Sequence, residues 1–311
     1  MDQLLNGLRA AAEPTRLRLL ALCARSDLTV TELTHILGQS QPRVSRHLKL
    51  LCDAGLVERF REGAWAFFRV ATAGAHGELA LALINQIPPE DPLASLDKTR
   101  LETVRHQRAE RASDYFRRNA AQWDSIRSLH VDDREVEGAL MRLLPPSAAR
   151  ELLDIGTGTG RLLQIYGPHV RLAVGLDLSR EMLSIARANL DRAGLRNCVL
   201  RHGDMYQLPW AGPEFDAATL HMVLHYAEDP RAVIAEAARV LRRGGGLLAV
   251  DFAPHDLEQL RTEHAHLRLG FRAGEVEAWC EAAGLTPIET VHLAGDPLTV
   301  TIWKAERRTD D

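Results

Sequence analysis

Apolar positions in the first seventy residues recur at helical spacing and then switch to alternation. Leu4, Leu5 and Leu8, followed by Leu17, Leu19, Leu20 and Leu22, step by three and four, and Pro14 separates two helices there. Residues 29–38 predict a short helix closed by Gly38 at its C′ position. Ser40 stands where the next helix needs a cap, and Pro42 falls in its first turn, where a missing N–H does no harm. Within that helix, residues 41–51, Val44, Leu48 and Leu51 share the apolar face. Gln41, Arg43, Ser45, Arg46, His47 and Lys49 are left for the outside. Beyond Gly55 the period falls to two, and residues 56–60 and 65–70 predict a strand pair flanking a turn at 61–64.

An apolar helix follows over 75–87, then Pro88, Pro89 and Pro92 break the chain. Residues 96–123 read as one long helix carrying Lys98, Arg100, Arg105, Arg108, Arg111, Arg117 and Arg118, a solvated face or a surface for DNA phosphates. Tyr115, Phe116 and Trp123 stand on it near helical spacing, as core or as a lid. From Ala149 strands and helices alternate: strands at 151–155, 172–177, 198–202, 215–220 and 246–251, helices at 160–166, 179–193 and 230–241. That rhythm predicts a parallel sheet covered by helices on both faces, with ligands at the carboxyl ends of its strands. A helix at 274–283 and strands at 285–293 and 298–304 add an antiparallel hairpin at the edge. The expected fold is therefore α/β behind a small amino-terminal helical module. The boundaries are 1–90 for the module, 91–145 for a helical connector or lid, and 146–311 for the α/β domain.

Composition adds two constraints. The 311 residues carry a net charge of -4, yet residues 1–72 hold ten Lys/Arg against seven Asp/Glu, leaving the acidic surplus to the remainder. A basic module on an acidic body fits nucleic-acid binding at one end. The scattered Cys23, Cys52, Cys198 and Cys280 show no pair spacing, and no apolar run reaches the roughly 20 residues of a membrane helix. We expect a cytoplasmic protein with no membrane partner.

Chemistry concentrates in two places. The first is the outward face of residues 41–51, with Arg61 on the hairpin, which suits a major groove. The second is the turn after the first strand of the α/β domain. Asp154 ends that strand, and Gly156, Gly158 and Gly160 follow as Gly-x-Gly-x-Gly, one residue tighter than a dinucleotide fingerprint. Asp177 ends the second strand, where a ribose diol needs two acceptors, and Asp204-Met205 ends the third.

Residues 40–51, with Ala54-Gly-Leu-Val, resemble the recognition helix of the ArsR/SmtB winged helix-turn-helix repressors. The glycine turn with its ordered acids resembles the class I methyltransferases that bind S-adenosylmethionine (SAM), most closely the ubiquinone/menaquinone C-methyltransferase group over about 150–252. The resemblance implies that Asp154 and the three glycines receive the amino-acid end of SAM. Asp177, with Leu178 beside it, would take the ribose, and Asp204 and Met205 the adenine. His221 would face the methyl-transfer space, and the antiparallel hairpin is how such domains end. The repressors pair through the helix at 75–87, so a homodimer on operator DNA is expected. Many of them sense metals through a Cys-x-Cys pair. Here Thr29 and Thr31 stand at those positions, and hydroxyls cannot replace soft thiolates, so no metal is expected.

No catalytic residue is fixed by the sequence. His221, His225 and His255 are the candidates, and His264 and Arg268 are expected on one helical face at i, i+4. The segment 251–268 reads as a substrate or effector anchor, as a metal cluster, or as a locally bonded polar insert. Two functions fit. One is a regulator whose methyltransferase domain senses SAM or S-adenosylhomocysteine, controlling methionine or methyl-cycle genes. The other is a working methyltransferase on a small-molecule acceptor with an accessory DNA-binding module.

Overall fold

The computed structural model describes residues 1–62, 65–71, 74–119 and 133–309. Two compact units make up the chain, Met1–Glu110 and Arg111–Asp311.

In the first unit, α1 (Asp2–Ala11), α2 (Pro14–Cys23), α3 (Val30–Leu37) and α4 (Gln41–Asp53) are followed by β2 (Val57–Glu62), β3 (Trp65–Val70) and α5 (Gly74–Asn85). A two-residue β1 (Leu28–Thr29) joins the hairpin to give the antiparallel order β1-β3-β2. The start of α3 is a full capping box. Thr29 Oγ1 accepts from the Glu32 N–H, while the Glu32 carboxylate accepts from the Thr29 N–H. Thr29 is thus spent on a helix end. Gly38 ends α3 in the left-handed region (φ 65°), as the pattern predicts. Ser40 does occupy the position before α4, but its side chain makes no capping bond; its carbonyl accepts from Arg43 and Val44 instead. Leu19, Leu20, Leu33, Ile36, Val44, Leu48 and Leu51 form the core. Leu101 and Val104 complete it from α6 (Pro92–Asn119), which belongs to this unit as far as Glu110. The side chains of Tyr115 and Phe116, and all of Trp123, lie outside the described residues.

The second unit is built on a seven-stranded sheet of order β6-β5-β4-β7-β8-β10-β9. Its strands are β4 (Glu151–Ile155), β5 (Leu172–Asp177), β6 (Cys198–His202), β7 (Phe215–His221), β8 (Leu241–Phe252), β9 (Leu285–Leu293) and β10 (Val300–Arg307). The first five run parallel, and β10 lies antiparallel between β8 and β9. Helices α7 (Asp133–Leu143), α8 (Arg161–Tyr166), α9 (Arg180–Arg192), α10 (Pro230–Val240), α11 (Glu258–Glu263) and α12 (Ala273–Ala282) complete the unit. Separate cores cover the two faces. One holds Leu153, Ile155, Leu220, Val233, Ile234 and Val276; the other holds Leu140, Leu152, Leu162, Tyr166, Val250 and Ile302.

Three local features depart from the sequence pattern. The strand expected at 246–251 begins at Leu241, because the residues between the pairs Phe215–Leu241 and Ala217–Gly246 bulge out and Gly244 takes φ 73°. Helix α7 was hidden inside the expected connector, although Val136, Leu140 and Leu143 carry its spacing and are buried. Finally, α11 stops at Glu263. Ala265 turns left-handed at φ 58°, and the His266 N–H returns to the Leu260 carbonyl, so His264 and Arg268 do not share a helical face.

Candidate functional site

The sheet changes direction of growth between β4 and β7, and the glycine turn lies at the carboxyl end of β4, the usual place for a ligand crevice. Gly156 and Thr157 both donate their backbone N–H to the Leu176 carbonyl, at 2.8 and 3.0 Å, which folds the turn against β5. Gly156 has φ 73°, and a Cβ there would come within 2.5 Å of Val223; Gly160 has φ 81° with Ala186 3.1 Å from its missing Cβ. A side chain at either position is opposed both by the backbone and by the space.

Asp177 ties this turn together. Its Oδ2 accepts from the Gly158 N–H at 2.8 Å and its Oδ1 from the Ser179 N–H at 2.8 Å. A carboxylate offers about four lone-pair sites, so acceptor capacity remains for a further ligand. Burial pushes the Asp177 carboxyl above its usual range, opposed by the N–H groups of Ser179, Gly158 and Leu178 and by nearby His202. Leu178 beside it is 60% exposed, an unusual place for a leucine without a partner. His202 holds this corner, its Nε2 3.0 Å from the Leu178 carbonyl; sequence reasoning passed over this residue.

Asp204 is exposed after β6, with Oδ1 accepting from the Tyr206 N–H at 2.9 Å, and Met205 is half-buried against the core. Asp154 behaves differently from these two acids. It is buried, and the Thr219 hydroxyl donates to its Oδ1 at 2.7 Å. Half-buried His221 ends β7, followed by Met222 in the left-handed region at φ 55°. For a residue with a side chain that is a strained conformation of the kind often kept at ligand-facing turns.

The histidine-rich segment is brought together on the same edge. The fully buried Asp251 carboxylate lies 2.8 Å from His225 Nδ1 and accepts from the N–H groups of His225 and Phe252 at 3.1 and 2.8 Å. The His225 ring stacks on His266, with centroids 3.9 Å apart and planes inclined by 22°. The Leu267 and Arg268 N–H groups both reach the His225 carbonyl. His255 packs edge-on to Phe252, with ring centroids 5.8 Å apart. The chain between β8 and α12 is thereby folded back over His225. Among the described residues no group of three or more His, Cys, Asp or Glu is placed to hold a metal ion.

In the first unit, Ser40 just before α4 and Gln41, Arg43, Ser45, Arg46 and Lys49 along it are exposed, and Arg61 is exposed on β2. His47 departs from this face. It is half-buried, with Nδ1 3.7 Å from the Glu13 carboxylate at the start of α2. Burial lowers its pKa below the usual value, with Glu13 opposing. The reason is its position one residue before Leu48, close enough to the core side to be drawn to α2.

Comparison with known proteins separates the same two parts. Residues 13–59 match the family described as bacterial regulatory protein, arsR family, and residues 153–249 match the family described as methyltransferase domain. An uncharacterized methyltransferase, YcgJ of Bacillus subtilis, is 32% identical over 120 residues, covering 38% of this chain and 47% of that protein. The demethylmenaquinone methyltransferase of a Roseiflexus species is 30% identical over 199 residues, covering 63% of this chain and 76% of the relative. The first relatives are thus matched over about half their length or less. Among solved structures, the N-methyltransferase NodS of Bradyrhizobium japonicum, in complex with S-adenosyl-L-homocysteine, superposes with a TM-score of 0.51 at 23% identity. That match covers 63% of this chain and 98% of NodS, and at such identity it speaks for the fold.

Proposed function

Because the chain belongs to the class I methyltransferases and carries an arsR-family module ahead of that domain, we propose a DNA-binding transcriptional regulator whose larger domain binds SAM and S-adenosylhomocysteine. The observation that carries this reading is Asp177. Its carboxylate, at the carboxyl end of β5, accepts from the Gly158 and Ser179 N–H groups beside the β4 glycine turn, with lone pairs left over. A vicinal diol is the ligand group that matches such an acceptor. The residues present fit the rest of the nucleoside. Exposed Leu178 and half-buried Met205 offer apolar cover for a purine, and exposed Asp204, whose Oδ1 takes the Tyr206 N–H, offers its other oxygen to an exocyclic amine.

SAM supplies a methyl group on a sulfonium, and the protein's share is orientation and exclusion of water. The lost charge on S-adenosylhomocysteine is what a sensor of methylation state would read, and genes of the methionine and methyl cycle are the natural targets. Arg43, Arg46 and Lys49 would meet the DNA. A homodimer is supported by Leu4, Leu5 and Leu8 of α1 and Leu81 of α5, all left exposed on the first unit.

Turnover on a small-molecule acceptor is a second reading, favoured by half-buried His221 at the carboxyl end of β7 and the left-handed Met222 that follows it. Calorimetry with SAM and with S-adenosylhomocysteine, repeated with a bound DNA duplex, tests the first. Coupling between sites must be reciprocal, so a ligand that changes duplex affinity by some factor has its own affinity changed equally. Identical duplex affinities with no ligand, with SAM and with S-adenosylhomocysteine would end the sensor reading.

A further inference from the structure

The chain leaves the amino-terminal unit through α6, and α6 holds the turn that aims the recognition helix. Two side chains make that hold, and a third, Arg105, ties α6 to the end of α2. Asp97, 3% exposed, takes Arg18 of α2 in a two-pronged pair: Nε to Oδ2 at 2.6 Å and Nη2 to Oδ1 at 2.6 Å. One turn further along α6, Arg100 Nη1 donates to the Ile36 carbonyl at 2.8 Å. Arg105 Nη2 donates to the Arg25 carbonyl at 2.6 Å. Leu101 and Val104 lie buried between these contacts.

The targets are specific. Ile36 is in the last turn of α3, where carbonyls have no helical partner and a cation is favoured. Arg18 Nη2 also lies 3.5 Å from the next carbonyl, Leu37. Gly38, Gln39 and Ser40 follow, and then α4. Gly38 itself would meet Arg100 Nη1 at 3.2 Å with any Cβ, so the guanidinium is seated against the left-handed residue of the turn. A surface ion pair contributes little, but this pair is nearly enclosed. Removing one partner would leave the other buried and unpaired.

We infer that Asp97 and Arg100 are positioning residues for DNA recognition: through them α6 fixes the α3–α4 turn, and its seating sets the affinity of α4 for DNA. Neither side chain belongs to the exposed face of α4. On the sensor reading above, the seat is also the route by which events in the rest of the chain reach the DNA-binding module.

The test uses the full chain and a duplex selected by the wild type from a random-sequence pool. Arg100→Met keeps the apolar stem and removes the donors; Asp97→Asn keeps the shape and halves the acceptors; Arg100→Lys restores one donor. We expect Arg100→Met and Asp97→Asn to bind the duplex about tenfold more weakly without ligand, with Arg100→Lys in between. The ratio of duplex affinities with and without S-adenosylhomocysteine, expected at about fivefold or more in the wild type, should fall to unity in both. The affinity for S-adenosylhomocysteine alone, measured by calorimetry, should stay unchanged. Should Asp97→Asn unfold the unit, the two Arg100 variants, which leave the Arg18–Asp97 pair intact, decide the matter. Duplex affinity within twofold of wild type in Arg100→Met, with the wild-type ligand ratio, overturns the proposal. A wild type that binds its duplex with no ligand ratio sinks the sensor reading alone, since the ligand-free affinities still decide the seat. A wild type that selects no duplex overturns both.

Discussion

Replacing Asp177 with Asn changes the chemistry of one atom and almost no volume, so its consequence can be worked from the hydrogen bonds. In the wild type Oδ2 accepts the Gly158 N–H and Oδ1 the Ser179 N–H, with the Leu178 N–H also favouring the charged carboxylate. The amide keeps one acceptor oxygen, and its NH2 group must face the other N–H, donor against donor. Leaving such a donor unsatisfied costs about 1–3 kcal/mol, which falls on the free protein as loosening of the turn. The ligand loses at least one hydrogen bond to a charged acceptor, about 1.5–3 kcal/mol. At about 1.4 kcal/mol per decade, SAM affinity should fall roughly 10- to 150-fold, read by calorimetry.

The same residue predicts a pH dependence of definite sign. Burial raises the Asp177 pKa above its unfolded value, so the native state holds this proton more tightly than the unfolded chain does. The resulting contribution to free-protein stability is present at low pH and is lost as pH rises through the folded value. Ligand affinity runs the other way, because protonation removes an acceptor: it falls as pH falls through that same raised value, earlier than an ordinary aspartate would require. Asp177→Asn should abolish both trends. Wild-type affinity in Asp177→Asn, or an unchanged acid limb of its affinity profile, would refute the assignment of this carboxylate to the ligand.

Arg43→Ala and Arg46→Ala should each weaken duplex binding, by about 1–3 kcal/mol where the side chain reads a base; fluorescence anisotropy at two salt concentrations separates that from a phosphate contact. Gly156→Ala should destabilise the second unit more than Gly194→Ala in thermal unfolding. Both glycines have φ above 70°, but only Gly156 has Val223 in the way, while Gly194 has open space; equal losses would contradict the role given to Val223. Asp251→Ala leaves the buried N–H groups of His225 and Phe252 and the His225 ring without their acceptor. A loss of about 1–3 kcal/mol for each donor left unsatisfied is expected in urea unfolding, and a total loss below about 1 kcal/mol would show that the pair does not hold the segment behind β8.

What the sequence discloses about this chain follows from distance along it. The α3 C-cap at Gly38, the apolar face Val44–Leu48–Leu51 and the strands around the glycine turn are local patterns, and they sit where periodicity and turn chemistry put them. The strand acids were legible for the same reason, since a strand that ends in an acid is a short-range event. The expected helix over His264–Arg268 failed where a non-local bond intervened. The N–H groups of Leu267 and Arg268 are taken by the His225 carbonyl, more than forty residues earlier, and no propensity argument sees that partner. His47 failed similarly, drawn from the α4 surface toward Glu13.

That division bears on what a fusion of this kind can do. Each half advertises its chemistry locally: a basic α4 face in one, and glycines and carboxylates at strand ends in the other. Either half could exist alone with the same motifs. Joint action needs contacts that tie the exit of the first unit to its working element, and these are the least legible of all. Arg18 and Asp97 are 79 positions apart, Arg100 and Ile36 are 64 apart, and neither pair forms any recognisable word. A helix that merely tethered two independent modules would have no reason to bury an aspartate against α2 or to place a guanidinium on the turn before α4. The desolvation that such burial costs is better explained if the position of α6 matters to the DNA-binding face.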